Sequence, residues 1–461
     1  MELADVRDSK SRVRKDVPVR PRSPAPLRSQ VLYMEPVIFY IVSTLLKLYF
    51  KADHILIRRL VMDIKKRLYE FIINRRAKLV KNRWVFMSFI GHYSDNPKYL
   101  SIKLHELYPE IEIIWCVRPE YLSLLPEYVI GVEYGSREAA KYMSSAEVII
   151  DNVYGERAFN IFGNSIFNKM KAKVLSHFLY KKGQRIYSTW HGTPLKRMGR
   201  DQIGNNLSGY ECRGLKMLLG NRFTMDIMKH LTFDKVPMEV LGSPRNDILF
   251  ENDADIIKKK LGLPLDKKIL LFAPTFRNDG RDVEGKNLNR SGLDQLDMID
   301  LDRLFKTLHD RFGGDWAMVC RFHYNVSEMV DWEYLERRYC GRVINGNLHD
   351  DMSEYLSASD ILITDASSCM FDYMITERPC FLFFPDIDNY ANKERGFYIQ
   401  IDELPFPMAV DFNELIDSIM DFSNDTYKEK VCRLKDRLGY MEDGNSSQRI
   451  LEWIFKDAGG K

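Results

Sequence analysis

What the chain lacks excludes several large function classes. Its seven cysteines (Cys116, Cys212, Cys320, Cys340, Cys369, Cys380 and Cys432) include no C-x-x-C pair. That spacing argues against a zinc ribbon or a disulfide framework and predicts reduced thiols, mostly in apolar stretches, as suits a cytoplasmic protein. No charge of one sign prevails: 68 basic and 65 acidic side chains leave a net +3, so no nucleic-acid partner is expected. No G-x-G-x-x-G and no G-x-x-x-x-G-K-[ST] follows a strand-like run, which removes the dinucleotide and P-loop readings. Paired-histidine spacings are missing too. The D-x-D at Asp253-Ala254-Asp255 falls in a charged helical stretch from Phe250 to Lys260, on solvated surface. Neither a metal nor a cofactor is therefore expected.

Long hydrophobic runs are also absent. Crossing a bilayer takes roughly twenty predominantly apolar residues, whereas the run from Pro36 to Leu46 stops at Lys47, with Lys51, Asp53 and His54 close behind. Ile55 to Met62 resumes the apolar pattern with Arg58 and Arg59 interleaved, as in an interfacial helix. Residues 1–30 are polar and basic, with no apolar segment behind Met1, and read as a disordered tail rather than a secretory signal. Residues 31–80 read as amphipathic helices, lying on an anionic membrane surface or packed on the protein itself.

What is present is ordinary globular material: 461 residues, 45% hydrophobic and 29% charged, enough for two domains. From Trp84 onward, strand-like runs alternate with helical patterns. Trp84 to Ile90, Ile111 to Val117, Val129 to Val132 and Val148 to Ile150 form a first series. Lys268 to Phe272, Trp316 to Phe322, Arg342 to Asn345, Ile361 to Thr364 and Cys380 to Phe384 form a second. Such alternation predicts an α/β fold with parallel sheets covered by helices. The expected division is 81–247 and 248–461, two Rossmann-like domains, the first interrupted at 158–182. That insertion carries Phe159, Ile161, Phe162, Ile166 and Phe167 at helical spacing beside Lys169, Lys171 and Lys173, a second amphipathic element that binds membrane or caps the domain.

Chemistry concentrates in Ser188-Thr189-Trp190-His191-Gly192-Thr193-Pro194-Leu195-Lys196, which places an imidazole, a hydroxyl and an ammonium around a Gly/Pro turn. The preceding Gln184 to Thr189 reads as a strand, so His191 falls where chemistry sits in open α/β sheets. An imidazole titrates near neutrality and suits a general base; the alternative is a histidine bonded to nearby backbone to hold the turn. Three further blocks follow in order. Gly242-Ser243-Pro244-Arg245-Asn246-Asp247 comes after Met238 to Leu241, and Ala273-Pro274-Thr275-Phe276-Arg277 after Ile269 to Phe272. The last runs from Asp360 through Thr364-Asp365-Ala366-Ser367-Ser368 and Phe371-Asp372 to Arg395-Gly396-Phe397-Tyr398.

The four blocks together resemble the CDP-glycerol glycerophosphotransferase family, the teichoic-acid polymerases and primases. The likeness runs from about Trp84 to the C-terminus. It implies the GT-B arrangement, two Rossmann-like domains facing across a cleft. It also implies transfer of glycerol phosphate from a CDP-polyol donor to a lipid-linked or polymeric acceptor, at the cytoplasmic face of a membrane. His191 then takes the proton of the acceptor hydroxyl, Lys196 meets developing negative charge or an acceptor phosphate, and Thr193 orients that contact. Asp201 either orients His191 or caps the next helix. Arg277, Arg321 and His323 converge on the donor diphosphate, as do Asp365, Ser367, Ser368 and Asp372 around a helix start; the two serines could equally be N-caps. Gly192, Pro194, Arg245, Asn246 and Asp247 complete the motif set. Two positions depart from the family pattern: Ala366 stands where a tyrosine is usual and Tyr324 where a proline often follows the histidine. CDP-ribitol, another activated donor, or a nucleotide sugar transferred by a GT-B glycosyltransferase are the alternatives, with a catalytically idle membrane- or polymer-binding protein as the reading from another class. A homo-oligomer stays open.

Overall fold

The computed structural model describes residues 77–89, 91–153, 181–202, 214–233, 236–251, 254–275, 291–322, 327, 329–387 and 396–459. The chain divides into two compact units, Met1–Leu68 and Tyr69–Lys461, and every described residue belongs to the second. The expected basic tail, nearly all of the 31–80 helices and most of the 158–182 insertion lie outside the described residues, as do Arg277 and His323.

Seven strands, β1 (Val80–Phe86), β2 (Glu112–Val117), β3 (Val129–Glu133), β4 (Ala146–Asp151), β5 (Arg185–Ser188), β6 (Leu215–Leu219) and β7 (Met238–Val240), build the first sheet. Their order is β3-β2-β1-β4-β5-β6-β7, with every neighbouring pair parallel. Six more, β8 (Lys268–Ala273), β9 (Trp316–Cys320), β10 (Val343–Asn345), β11 (Ile361–Thr364), β12 (Cys380–Phe383) and β13 (Met408–Ala409), form a second parallel sheet. Its order is β10-β9-β8-β11-β12-β13.

Side chains on a strand alternate between faces, so a parallel sheet covered on both sides needs apolar residues at every position. The first sheet meets that demand with two separate cores. Val85, Ile114, Ile149, Ile186 and Met217 face one; Trp84, Phe86, Ile113, Trp115, Val148, Ile150 and Tyr187 face the other. Lys268 to Ala273 does the same in the second sheet, with Ile269, Leu270 and Leu271 fully buried. The expected strand series is present. Two strands were missed: β6 is a five-residue run interrupted by Lys216, and β13 is two residues long.

Residues 248–461 do not all pack with the second sheet. The C-terminal helix Ser446–Gly459 returns to the first, where Ile450, Leu451 and Ile454 enter the core beside Trp84 and Tyr187. Tyr187 donates to Asp457 Oδ2 at 2.7 Å and Arg185 Nη1 to the Ile454 carbonyl at 3.1 Å. Among the described residues no helix is long and apolar enough to cross a membrane. Cys116, Cys320, Cys369 and Cys380 are buried thiols, while Cys340 and Cys432 are exposed.

Strand order reverses direction between β1 and β4 in the first sheet and between β8 and β11 in the second. Chains leaving those neighbouring strands diverge to opposite sides and open a crevice beyond their carboxyl ends, where ligands of such sheets bind.

Candidate active site

His191 is held at the first of these crevices. Its Nδ1 lies 2.9 Å from the carbonyl of Asn152, the residue after β4. A carbonyl only accepts, so Nδ1 carries the proton and the lone pair of the neutral ring falls on Nε2. Phe89, just past β1, presents its ring to the imidazole at 5.5 Å and 66°, and Trp190 lies 3.9 Å away, centroid to centroid. The Asn152 side chain secures that wall: its Oδ1 accepts from Phe89 N at 3.2 Å and its Nδ2 donates to Ser88 Oγ at 3.0 Å.

The backbone around the histidine is strained. Trp190 has φ +54 and Gly192 φ +139. A non-glycine residue at positive φ costs about 1–3 kcal/mol and persists only where its surroundings dictate it. Here Asn96 Nδ2 donates to the carbonyls of Thr189 (3.3 Å) and Trp190 (3.0 Å), and Arg245 Nη1 to that of His191 (2.7 Å). Glycine at 192 is dictated by contact as well. A Cβ there would lie 2.9 Å from Arg245 Nη2 and 3.4 Å from Ser368 Oγ, which brings the second sheet's serine loop against the histidine turn.

Arg245 ties these parts together. It belongs to the 3₁₀ segment Pro244–Phe250, where proline at the first position fits the missing N–H. Its Nη1 reaches Asp95 Oδ2 at 3.0 Å and its Nη2 Asp372 Oδ2 at 2.7 Å, and all three side chains are over nine-tenths buried. Burial disfavours the guanidinium charge, but the two carboxylates outweigh it and keep the group ionised. At Asp372 burial dominates and raises the carboxyl, with Arg245 and Asn246 drawing it back part of the way.

Several expected roles change. Asp372, expected at the donor, is spent on Arg245 and on Asn246 Nδ2 (3.3 Å). Asp247 caps the C-terminal helix, accepting from Ser446 N and Ser447 N at 2.8 Å each. Asp201 does not orient His191; it accepts from Tyr398 at 2.7 Å and pairs with His230 at 2.9 Å, because the Gly199–Asp201 turn faces that way. The Thr193 hydroxyl is engaged by Tyr440 (2.5 Å) and Asn221 Nδ2 (2.7 Å). Pro194 and Leu195 are buried, Leu195 within the second sheet's core. Lys196 bridges to Phe397 in antiparallel fashion, with Tyr398 N donating to the Leu195 carbonyl at 2.8 Å.

On the second sheet, Asp365, directly after β11, is fully buried and accepts from Thr275 N (2.8 Å) and Gln295 Nε2 (3.3 Å), so it shapes the loop after β8. Arg321 donates to three carbonyls, Gly346 (2.7 Å), His349 (2.6 Å) and Asp350 (2.6 Å), and stacks over Tyr355. It holds a turn where a diphosphate contact was expected. Ser367 and Ser368 are half-buried, and Ser368 precedes the helix Cys369–Tyr373 without capping it through its side chain. That helix is five residues long, so its dipole contributes less than the expected anion site assumed.

Sequence reasoning passed over Phe89, Asp95, Asn96, Asn152 and Glu442. Asn152 carried one signal, an asparagine directly after a β-strand; the others join the site only through tertiary contact. Glu442 receives Ser243 N on both oxygens at 3.1 Å and the Ser446 hydroxyl at 2.9 Å. Burial pushes its carboxyl up to about 7, against those hydrogen bonds and with the charge of Asp247 adding to the rise. The native state therefore keeps a proton that the unfolded chain releases near its ordinary value of about 4.3. Stability should fall as pH rises from about 4.5 to 7, and Glu442→Gln should flatten that slope. Thermal midpoints at pH 5, 6, 7 and 8 check it; parallel curves for the two proteins would exclude the buried proton.

The fold and these residues define a two-sheet α/β protein with a backbone-oriented histidine set against a serine loop. The sequence pattern of the CDP-Glycerol:Poly(glycerophosphate) glycerophosphotransferase family matches residues 69–456, and the chain belongs to that family. It is 30% identical over 454 residues to the teichoic acid poly(glycerol phosphate) polymerase of Bacillus subtilis (strain 168), covering 90% of this chain and 56% of that one. It is 30% identical over 435 residues to the teichoic acid glycerol-phosphate transferase of Staphylococcus aureus (strain NCTC 8325 / PS 47), covering 86% of this chain and 100% of that one. The solved structure of the wall teichoic acid polymerase TagF aligns at TM-score 0.68 and 29% identity over 91% of this chain and 97% of that chain. The chain spans 56% and 50% of the length of two of the poly(glycerol phosphate) polymerases it matches.

Proposed function

We propose that the chain transfers glycerol phosphate from CDP-glycerol to a hydroxyl of a polymeric or lipid-linked acceptor, with release of CMP, in teichoic-acid synthesis. The observation that carries this is the fixed His191 tautomer beside the Gly192–Ser368 contact. A base with its lone pair on Nε2 stands where a parallel sheet binds ligands, next to hydroxyls of the other sheet.

In this reading Nε2 accepts the proton of the acceptor hydroxyl as its oxygen attacks the glycerol-bearing phosphorus. The bond from that phosphorus to the bridging oxygen breaks, and the electron pair leaves with CMP. Phosphoryl transfer needs little covalent work from a protein beyond positioning and charge stabilisation. Ser367 and Ser368 take donor phosphate oxygens, with Arg277 and His323 as further diphosphate ligands and Lys196 near the acceptor. The two sheets then face one another across a cleft as in GT-B transferases, and the protein works peripherally at the cytoplasmic face of the membrane, held by its basic amphipathic segments.

The test is incubation of the full chain with CDP-glycerol, CDP-ribitol and UDP-sugars plus membrane extract, scoring the released nucleotide. CMP from CDP-glycerol is expected. Release of UDP alone would reject the CDP-polyol donor.

A further inference from the structure

One polar cluster takes no part in the chemistry above. His92 follows β1, and Arg118 and Tyr121 follow β2, at the edge of the sheet where Phe89 meets His191. An Arg118 Nη2 donates to His92 Nε2, so the His92 proton sits on Nδ1. That N–H points to Asp350 Oδ2 at 2.5 Å, with the Tyr121 hydroxyl 3.0 Å from the same nitrogen. Arg118 also lies 3.3 Å from Glu120 through Nε and stacks over Tyr121 at 5.5 Å.

The carboxylate in this nest comes from the other sheet. Asp350 lies in the turn after β10, whose carbonyls Arg321 holds, and the next residue, Asp351, accepts from the buried Lys98 at 2.6 Å. Asp350 is therefore delivered by a turn pinned from both sides. Burial alone would raise its carboxyl, yet hydrogen bonding to His92, the nearby charge of Arg321 and the Tyr121 hydroxyl hold it below its ordinary value. The environment selects an anion. It is also reachable: the side chains of His92, Asp350 and Arg118 are 27%, 30% and 40% exposed.

The backbone is built for this convergence. Gly91 has φ +94, and a Cβ there would come within 3.0 Å of both Arg118 N and Arg118 Cγ. Arg118 N donates to the Gly91 carbonyl at 2.8 Å. Any side chain at 91 would push the arginine away from His92.

The geometry points to an anion subsite in which His92 Nδ1–H and the Tyr121 hydroxyl, with Arg118 holding the imidazole from its Nε2 side, take a glycerol phosphodiester of the acceptor, with the Asp350 carboxylate as its internal stand-in. This rests on the acceptor reading above. A phosphodiester presents one negative charge on two unbridged oxygens, the charge and the bidentate shape that Asp350 offers. Position agrees: the subsite shares the loop Ser88–His92 with Phe89, so a phosphate held there would lie along the path of a chain whose terminal hydroxyl reaches His191. Acceptor and Asp350 then compete for the same donors.

Competition gives a test with opposite signs. Binding of a water-soluble glycerol phosphate oligomer to the full chain is measured by calorimetry, and binding of phosphatidylglycerol vesicles by sedimentation. Asp350→Asn should tighten binding about tenfold, since one charge-assisted contact no longer has to be displaced, and adding Arg118→Gln should reverse that gain. A change confined to the oligomer assigns the site to the polymer chain; one confined to vesicles assigns it to the lipid headgroup. If Asp350→Asn weakens or leaves unchanged both kinds of binding, the cluster is a clasp between the sheets and the subsite is overturned. Unfolding cannot mimic a gain in affinity. CMP release, scored in parallel, reports on the donor reading separately, since binding can follow the variants even where turnover is absent.

Discussion

His191→Ala should lower CMP release by about 10²- to 10⁴-fold, the range that a positioned general base contributes. The loss should fall on kcat, with KM for CDP-glycerol little changed, because the proposed role of the ring is to take the acceptor proton and not to hold the donor. Asp201→Asn is the matching control. Nδ1 is oriented by the Asn152 main-chain carbonyl, and Asp201 is occupied by Tyr398 and His230, so this variant should stay within a few-fold of the parent. Steady-state kinetics of the two proteins decide the matter. Undiminished turnover in His191→Ala would remove the histidine from the chemistry, and a collapse in Asp201→Asn would move the orienting role back to the carboxylate.

Arg245→Met should destabilise the fold by about 3–5 kcal/mol, since it strands two buried carboxylates rather than one. Asp95 and Asp372 would each be left without their guanidinium partner, and the His191 carbonyl without its donor. Arg245→Lys keeps the charge but offers a single ammonium where a planar fork now spans two sheets, so it should recover only part of the loss. Adding Asp95→Asn and Asp372→Asn to Arg245→Met should also restore stability, because the buried charges are removed with their partner. Denaturant unfolding midpoints measure all three. A midpoint for Arg245→Met equal to the parent's would show that the ion pairs contribute nothing.

Much of the architecture was readable from local pattern. Runs such as Ile269 to Phe272 and Ile361 to Thr364 are apolar at every position, the mark of strands covered on both faces, and each is a buried parallel strand. His191 was legible for a related reason. A Gly/Pro turn after a strand is a local event, and Trp190, His191 and Gly192 keep their places whatever packs around them. Strand ends were less clear, since Met87 to Ile90 continues the hydrophobic pattern of β1 after its ladder has stopped at Phe86.

The division of labour among polar residues was not readable. Asp365, Asp372, Asp247 and Arg321 have the residue types of ligand contacts, and all four are consumed by neighbours distant in sequence: Thr275, Arg245, Ser446 and the Gly346–Asp350 carbonyls. A carboxylate offers the same chemistry to a phosphate-binding network as to a helix cap. Which task it performs depends on the donors that the folded chain sets within 3 Å of it, and those lie tens to hundreds of positions away. Periodicity and turn chemistry act between near neighbours, so the order of residues was enough for the strands and for the turn that carries His191. The tautomer of His191, the arginine linking two acids across the sheets, and the Asp350 carboxylate set against His92 exist only because remote segments were brought into contact, and burial then made each of those contacts matter.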